Sequence, residues 1–199
     1  EVVLNLQSLE DHVLVKQFID GDQSSLEELI KRHKSRIYTY ILLIVKNPHL
    51  AEDIFQDTFI KVIKSLKRGK YQDKGKFVSW VLRIAHNLII DYYRKQKYQK
   101  TISNDDTEVD LFNSKKLAED TIEDSLVQDQ ILSEVRYLMD SLPSDQRNVV
   151  YLRHYCGLSF KEIADQTGVS INTALGRMRY ALINMRRLIE EHKMNLTVS

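Results

Sequence analysis

Apolar residues recur along most of this chain at three- and four-residue intervals, the spacing of one helix face. After a short first helix, for which Ser8 or Asp11 is the candidate cap and Asp20-Gly21 the stop, Asp22 opens a longer one. Leu26, Leu29, Ile30, Ile37, Tyr40, Ile41 and Ile44 form its stripe. Asn47-Pro48 interrupts the pattern, and a third helix carries Ile54, Phe55, Phe59, Val62, Ile63 and Leu66 on one side. An irregular loop runs from Arg68 to Lys76. A fourth helix follows, with Phe77, Trp80, Val81, Ile84, Leu88 and Ile89 expected on its buried side. Trp80 is expected in the core because it shares that stripe. Of the pair Tyr92 and Tyr93, one is expected to pack.

The pattern stops near Gln99. Residues up to Thr121 are polar, acidic and aperiodic, which predicts a tether between two domains. Helical spacing resumes near Ile122 and runs to Ser141, where Pro143 ends it. Val149, Val150 and Leu152 mark a further helix that stops at Gly157. No alternation of strand and helix patterns occurs. The expected fold is therefore all-α: two helical domains, residues 1–98 and 122–199, joined by a flexible acidic linker over 99–121.

Composition narrows this picture. The 199 residues are 43% hydrophobic, enough for real cores, and contain only 6 Gly and 2 Pro, which suits long helices with few tight turns. The single cysteine, Cys156, excludes a disulfide framework and a thiolate metal cluster; it reads as a packed small hydrophobe. The six histidines lack ligand spacing. No metal, no cofactor and no small-molecule substrate are expected, and neither is a signal peptide or a membrane span. A reducing, cytoplasmic setting is compatible.

Charge distribution says more than the net of +1. Ile60 to Tyr98 holds 11 Lys and Arg against 2 acids, a local net of +9, while Gln99 to Asp129 holds 3 bases against 9 acids, a local net of −6. A concentrated basic block points to a polyanion, nucleic acid first.

The second half contains a helix-turn-helix pattern. Ser159-Phe160-Lys161-Glu162 is a capping box. Ile163 and Ala164 face inward, Gly168 supplies a turn that needs positive φ, Val169 plugs the corner and Ser170 caps a second helix. A plain helical hairpin with a basic outer face is the ordinary alternative, but cap, glycine and plug coincide here. Short polar residues at the first turn of the second helix, followed by arginines, suit base edges and phosphates.

Two sets of residues carry a family resemblance. Asn47-Pro48, then Ala51 to Phe59 (Ala-Glu-Asp-Ile-Phe-Gln-Asp-Thr-Phe), then Phe77, Trp80, Arg83-Ile84-Ala85, Asn87, Asp91 and Arg94 form the first. Leu142-Pro143 to Arg147, Leu152-Arg153, Gly157-Leu158-Ser159, Glu162-Ile163-Ala164, Gly168-Val169-Ser170 and Thr173 form the second. In this order, with a linker between, the chain resembles RNA polymerase sigma factors of the extracytoplasmic-function class over roughly Leu9 to Glu190. The resemblance implies a factor that docks on the clamp helices and flap of core RNA polymerase, reads the −10 and −35 promoter elements and aids DNA opening. It implies no catalytic residue, since the polymerase performs the nucleotide chemistry, and it makes an anti-sigma factor an expected partner.

On pattern alone, Glu52, Asp53, Gln56 and Asp57 read as a solvated face near a helix N-terminus. The resemblance instead makes them, with Ile60, the core-polymerase-binding surface. It places −10 recognition on Arg83, Asn87 and Arg94 and on the preceding loop, where Lys70, Lys74 and Lys76 could hold separated strands and Tyr71 could stack on an unpaired base. It places −35 contacts at Ser170, Asn172, Thr173, Arg177, Arg179 and Tyr180, with Ser170 also a cap. The chain departs from the family at Leu175 and Gly176, where relatives usually carry a basic residue and a serine. For the acidic linker the resemblance suggests a path through the polymerase's basic channels, its carboxylates standing in for RNA phosphate; a simple tether is the other reading.

Two rival classes remain on the residues themselves. A free-standing helix-turn-helix regulator would bind palindromic duplex as a dimer, but no strand runs ending in Asp mark a receiver domain. A nuclease or nucleotide-binding enzyme would need paired metal carboxylates or a phosphate loop, and neither pattern is present.

Overall fold

In a computed structural model of the chain, residues 6–71, 75–102 and 126–194 are described; for 100–102 and 126–132 the description covers the backbone alone. Among these residues the secondary structure is entirely helical. A short 3-10 turn, Leu6–Ser8, precedes α1 (Asp11–Ile19), α2 (Gln23–Val45), α3 (Pro48–Lys67) and α4 (Phe77–Ile102). The second set comprises α5 (Leu126–Asp140), α6 (Ser144–Val150), a π-helical turn at Tyr151–Tyr155, α7 (Phe160–Thr167) and α8 (Ile171–His192). The described residues fall into two compact units, one ending at Gln99 and the other beginning at Lys100. Residues 103–121 of the expected linker, and the expected helix start near Ile122, lie outside the described residues. Gln99 to Ile102 continue α4, so helix reaches further than the periodicity suggested.

In the first unit the breaks follow local chemistry. Gly21, at φ 113°, turns the chain after α1. The Asp22 carboxylate then accepts from the Ser24 backbone N–H at 3.0 Å and caps α2. Asn47 caps α3 by accepting from Leu50 N–H at 3.1 Å, and Pro48 begins the helix where its missing N–H costs nothing. Neither Ser8 nor Asp11 caps α1. Glu10 holds the N-cap position without a side-chain bond. Asp11 instead accepts from Arg32 Nη1 and lies against His33 Nε2, both at 2.8 Å. Arg32 also donates to the Leu9 carbonyl at 2.9 Å, so the N-terminal segment is fastened to α2 by long-range bonds that local sequence does not encode.

The core of this unit joins Leu14, Leu29, Ile37, Ile41, Ala51, Val62, Leu66 and Val81, each with its side chain removed from water. The Tyr40 hydroxyl lies 2.6 Å from His86 Nδ1 and ties α2 to α4 inside that core. On α4 the buried side differs from the expected one. Phe77, Val81 and Ile89 are buried as expected, but Leu82, Ala85, His86 and Tyr93 complete the face. Trp80, Ile84 and Leu88 are only half-buried flanks. The helix is rotated so that His86 can meet Tyr40 and Trp80 can stack on the loop.

In the second unit, three successive residues of α6 reach different neighbours. Arg147 is 1% exposed and donates from Nη2 to the carbonyls of Asp140 at 3.1 Å and Leu142 at 2.8 Å, closing the turn from α5. Gln146 accepts from Asn184 Nδ2 on α8 at 2.9 Å. Asp145 pairs with Arg177, also on α8. Ala174, Ala181 and Leu188, seven residues apart, form the buried side of α8. Cys156 is buried, as its neighbourhood predicted.

Candidate docking face and nucleic-acid interface

The Asn47 cap and Pro48 fix where α3 begins, and its apolar positions fix which side turns inward. Ala51, Ile54, Phe55, Thr58, Phe59, Val62 and Leu66 are buried. The spacing therefore places Glu52, Asp53, Gln56 and Asp57 together on the outer side, all exposed, with Ile60 one turn on and 48% exposed. The outer side is thus four acidic or amide side chains with one large aliphatic side chain left in water beside them.

The second cluster lies along α4 and the loop before it. Arg83, Asn87, Asp91 and Arg94 share one side of the helix, opposite the buried set. Arg94 Nη1 sits 3.4 Å from Asp91 Oδ1, an exposed pair whose weak mutual hold leaves the guanidinium available to a phosphate. Lys70 and Lys76 are exposed at the two ends of the loop. Lys74 lies outside the described residues. Tyr71 is engaged: its ring centroid is 4.5 Å from that of Trp80 and 6.0 Å from that of Phe77. The three rings make an aromatic corner at the root of α4, with Trp80 half-exposed. A base stacking there would meet a Tyr71-Trp80 pair rather than a lone tyrosine.

Tyr93 is the packed member of the tyrosine pair. Burial, and then the neighbouring Tyr92, push its hydroxyl from 10.0 up to about 12. Tyr92 is half-buried, and its hydroxyl accepts from Gln96 Nε2 at 2.6 Å.

The helix-turn-helix forms as its local signals require. Glu162 N–H donates to Ser159 Oγ at 3.2 Å and Glu162 Oε2 accepts from Ser159 N–H at 2.8 Å, closing the capping box. Gly168 takes φ 70°, and half-buried Val169 lies at the corner. Ser170 Oγ accepts from Thr173 N–H at 3.1 Å, and the two hydroxyls lie 2.9 Å apart. Ser170 and Thr173 are therefore committed first to starting α8.

The expected −35 residues do not all share one surface. Asn172 and Arg179 point away from the buried side of α8, and Tyr180 is 61% exposed beside them. Arg177 lies to one side, toward α6, with Nη2 at 2.9 Å from Asp145 Oδ2. Three further residues border this region. Asp145 had no local signal, since its partner is distant in sequence. Leu175 and Gly176 stood out as departures from the family pattern and prove to lie on the outward face.

Among the described residues no group of three His, Cys, Asp or Glu side chains is placed to hold a metal ion, and no helix is long and apolar enough to cross a membrane.

Comparison with known proteins agrees in order and extent. Residues 29–98 match the Sigma-70 region 2 family and residues 132–179 match the Sigma-70, region 4 family. The chain is 32% identical over 180 residues to the RNA polymerase sigma factor CarQ of Myxococcus xanthus, covering 89% of this chain and 96% of that one. It is 28% identical over 180 residues to the ECF RNA polymerase sigma factor SigW of Bacillus subtilis, covering 89% and 95%. Its fold is similar to CnrH in complex with the cytosolic domain of CnrY, with a TM-score of 0.60 at 20% identity over 91% of this chain and 97% of that one. It is also similar to the sigma factor RpoE in complex with the anti-sigma factor NepR from Bartonella quintana, with a TM-score of 0.55 at 18% identity, covering 83% and 96%. With both regions matched in order and a relative 32% identical over nearly its whole length, the chain belongs to the extracytoplasmic-function class of the sigma-70 family of RNA polymerase sigma factors.

Proposed function

We propose that the outer face of α3, with Glu52, Asp53, Gln56, Asp57 and Ile60, is where this sigma factor docks on the clamp helices of core RNA polymerase. Family membership makes the chain a factor that binds core polymerase and directs promoter-specific initiation. The observation that carries the site-level reading is the clean split of α3 into a buried apolar side and an exposed acidic side that ends on an exposed isoleucine. In this reading residues 1–98 bind core and the −10 element, 99–121 tether the domains, and 122–199 read the −35 element beside the flap.

Arg83, Asn87, Arg94, Lys70, Lys74 and Lys76 hold the opened −10 strand, and the Tyr71-Trp80 corner receives a base. Asn172, Arg179 and Tyr180 face the −35 duplex, while Ser170, Thr173 and Arg177 reach its phosphates. The chain supplies no bond-making step, acts without a cofactor, and works in the cytoplasm with the polymerase. An anti-sigma factor is a further proposed partner, in keeping with the complexes in which CnrH and RpoE are found.

The test is assembly. Gel filtration of the protein with purified core polymerase should give a stoichiometric complex, and tight binding of promoter fragments should require that complex. Tight, core-independent binding of duplex as a dimer would contradict the reading.

A further inference from the structure

We infer that Leu175 reads the methyl group of a thymine in the −35 element, and that Gly176 beside it lets α8 sit close enough for that contact. The inference rests on the reading of α8 as the −35-facing helix. Asn172, Leu175, Gly176 and Arg179 follow one another at i, i+3, i+4 and i+7, on the side opposite buried Ala174, Ala181 and Leu188. Leu175 is 44% exposed, in the second turn of the helix, between an amide and a guanidinium. Nearly half of this aliphatic side chain is left in water, with exposed Ile171 one turn before it on the same side. The thymine C5-methyl is the one apolar group on a base edge in the major groove, so it is the partner that a duplex offers.

Gly176 supplies an independent observation. Glycine inside a helix destabilises it relative to alanine. That loss is usually offset by a packing need, but a Cβ built at Gly176 would meet nothing within 4 Å. Among the described residues nothing asks for glycine there. A surface approaching from outside does, and the flanking Arg179 and Arg186, both exposed, make that surface a polyanion. Leucine at 175 gives up a charge that would have held any duplex; what it gains is discrimination between thymine and cytosine at one step.

The experiment uses holoenzyme assembled from the full chain and core polymerase. Promoter fragments with a randomised −35 window are selected for binding, and each thymine in the enriched element is replaced singly by deoxyuridine, which removes only the methyl group. At one thymine the replacement is expected to weaken wild-type binding about fourfold, the size of one methyl group's transfer from water. Leu175→Ala should bind the thymine and uracil forms equally. Gly176→Ala should raise the melting temperature of the protein and weaken binding to the selected element. If no deoxyuridine replacement matters, if Leu175→Ala keeps the preference, or if Gly176→Ala binds as well as wild type, the inference is overturned while the −35 reading stands. If Leu175→Ala spares the preference and weakens holoenzyme assembly, the face belongs to a protein contact instead. If the window shows no enrichment at all, the reading of α8 as the −35 helix fails, and the inference with it.

Discussion

Arg177 Nη2 and Asp145 Oδ2 are 2.9 Å apart, so an arginine at the edge of the DNA-facing helix is held by a carboxylate from the first turn of α6. The pair is partly exposed, 27% and 54%, and exposed pairs of this kind add little to stability. Its consequence is electrostatic. On the proposed reading of α8 as the −35 helix, Asp145 would both neutralise a cation beside the duplex and present a negative charge to it. Asp145→Asn should leave the melting temperature nearly unchanged, raise promoter affinity, and steepen the dependence of log affinity on log salt by about one unit, as expected when the contact of Arg177 with phosphate is no longer offset by a carboxylate. Anisotropy titrations of holoenzyme on promoter DNA over a range of salt measure this; an unchanged slope would show that Arg177 does not reach phosphate.

Two residues on, Arg147 should behave in the opposite way. It is 1% exposed and holds the last carbonyl of α5, at Asp140, and that of Leu142 in the turn after it. Arg147→Ala leaves those acceptors without their donor and a cavity in their midst, at a cost of about 3 kcal/mol to the second domain. Arg147→Lys should recover part of this, since both bonds come from the one nitrogen Nη2 and an ammonium can donate to two carbonyls, but its more strongly hydrated charge and smaller head leave the rest of the loss. Urea unfolding followed by circular dichroism measures both variants.

On α3 the substituted side chains are exposed, so function and folding separate. Asp53→Lys combined with Asp57→Lys should change stability by no more than about 0.5 kcal/mol. The same protein should lose about tenfold or more in affinity for core polymerase, because the sign of the docking face is inverted. Competition against unmodified protein for core measures the loss, and unchanged affinity would remove α3 from the interface.

Tyr93 should give the first domain an alkaline limit. Its hydroxyl is pushed up to about 12 in the folded state by burial, and next by Tyr92, from an ordinary 10.0. Unfolding therefore releases a proton more readily between those values. The contribution is fully present below pH 10 and is lost as pH rises toward 12. Tyr93→Phe should reduce the fall in stability across that window, and the late phenolate absorbance change should disappear with it.

The features legible in the sequence are those set by near neighbours. The caps at Asp22, Ser159 and Ser170, the break at Asn47-Pro48, and the glycine stops at Gly21 and Gly168 depend on residues within a few positions and formed as expected. The outward placement of Glu52, Asp53, Gln56, Asp57 and Ile60 followed from apolar spacing alone. Features that depend on distant partners were not legible. Asp11 reads as a cap until Arg32 and His33 claim it. Trp80 reads as core until Tyr71 offers it a ring to lean on. The turn of α4 buries His86 against the Tyr40 hydroxyl of α2, 46 residues away in the chain. Arg177 falls on the same helix as Arg179, and only the fold shows that Arg177 turns toward Asp145 of α6 while Arg179 points away from the buried side.

The most direct test of promoter-specific initiation is multi-round transcription by purified core polymerase on fragmented bacterial genomic DNA, with and without this protein, with the 5′ ends of the transcripts mapped. New, discrete start sites sharing one −35 and one −10 element are the expected result. A start-site map unchanged by the protein, under conditions where core polymerase is active with another sigma factor, would contradict it.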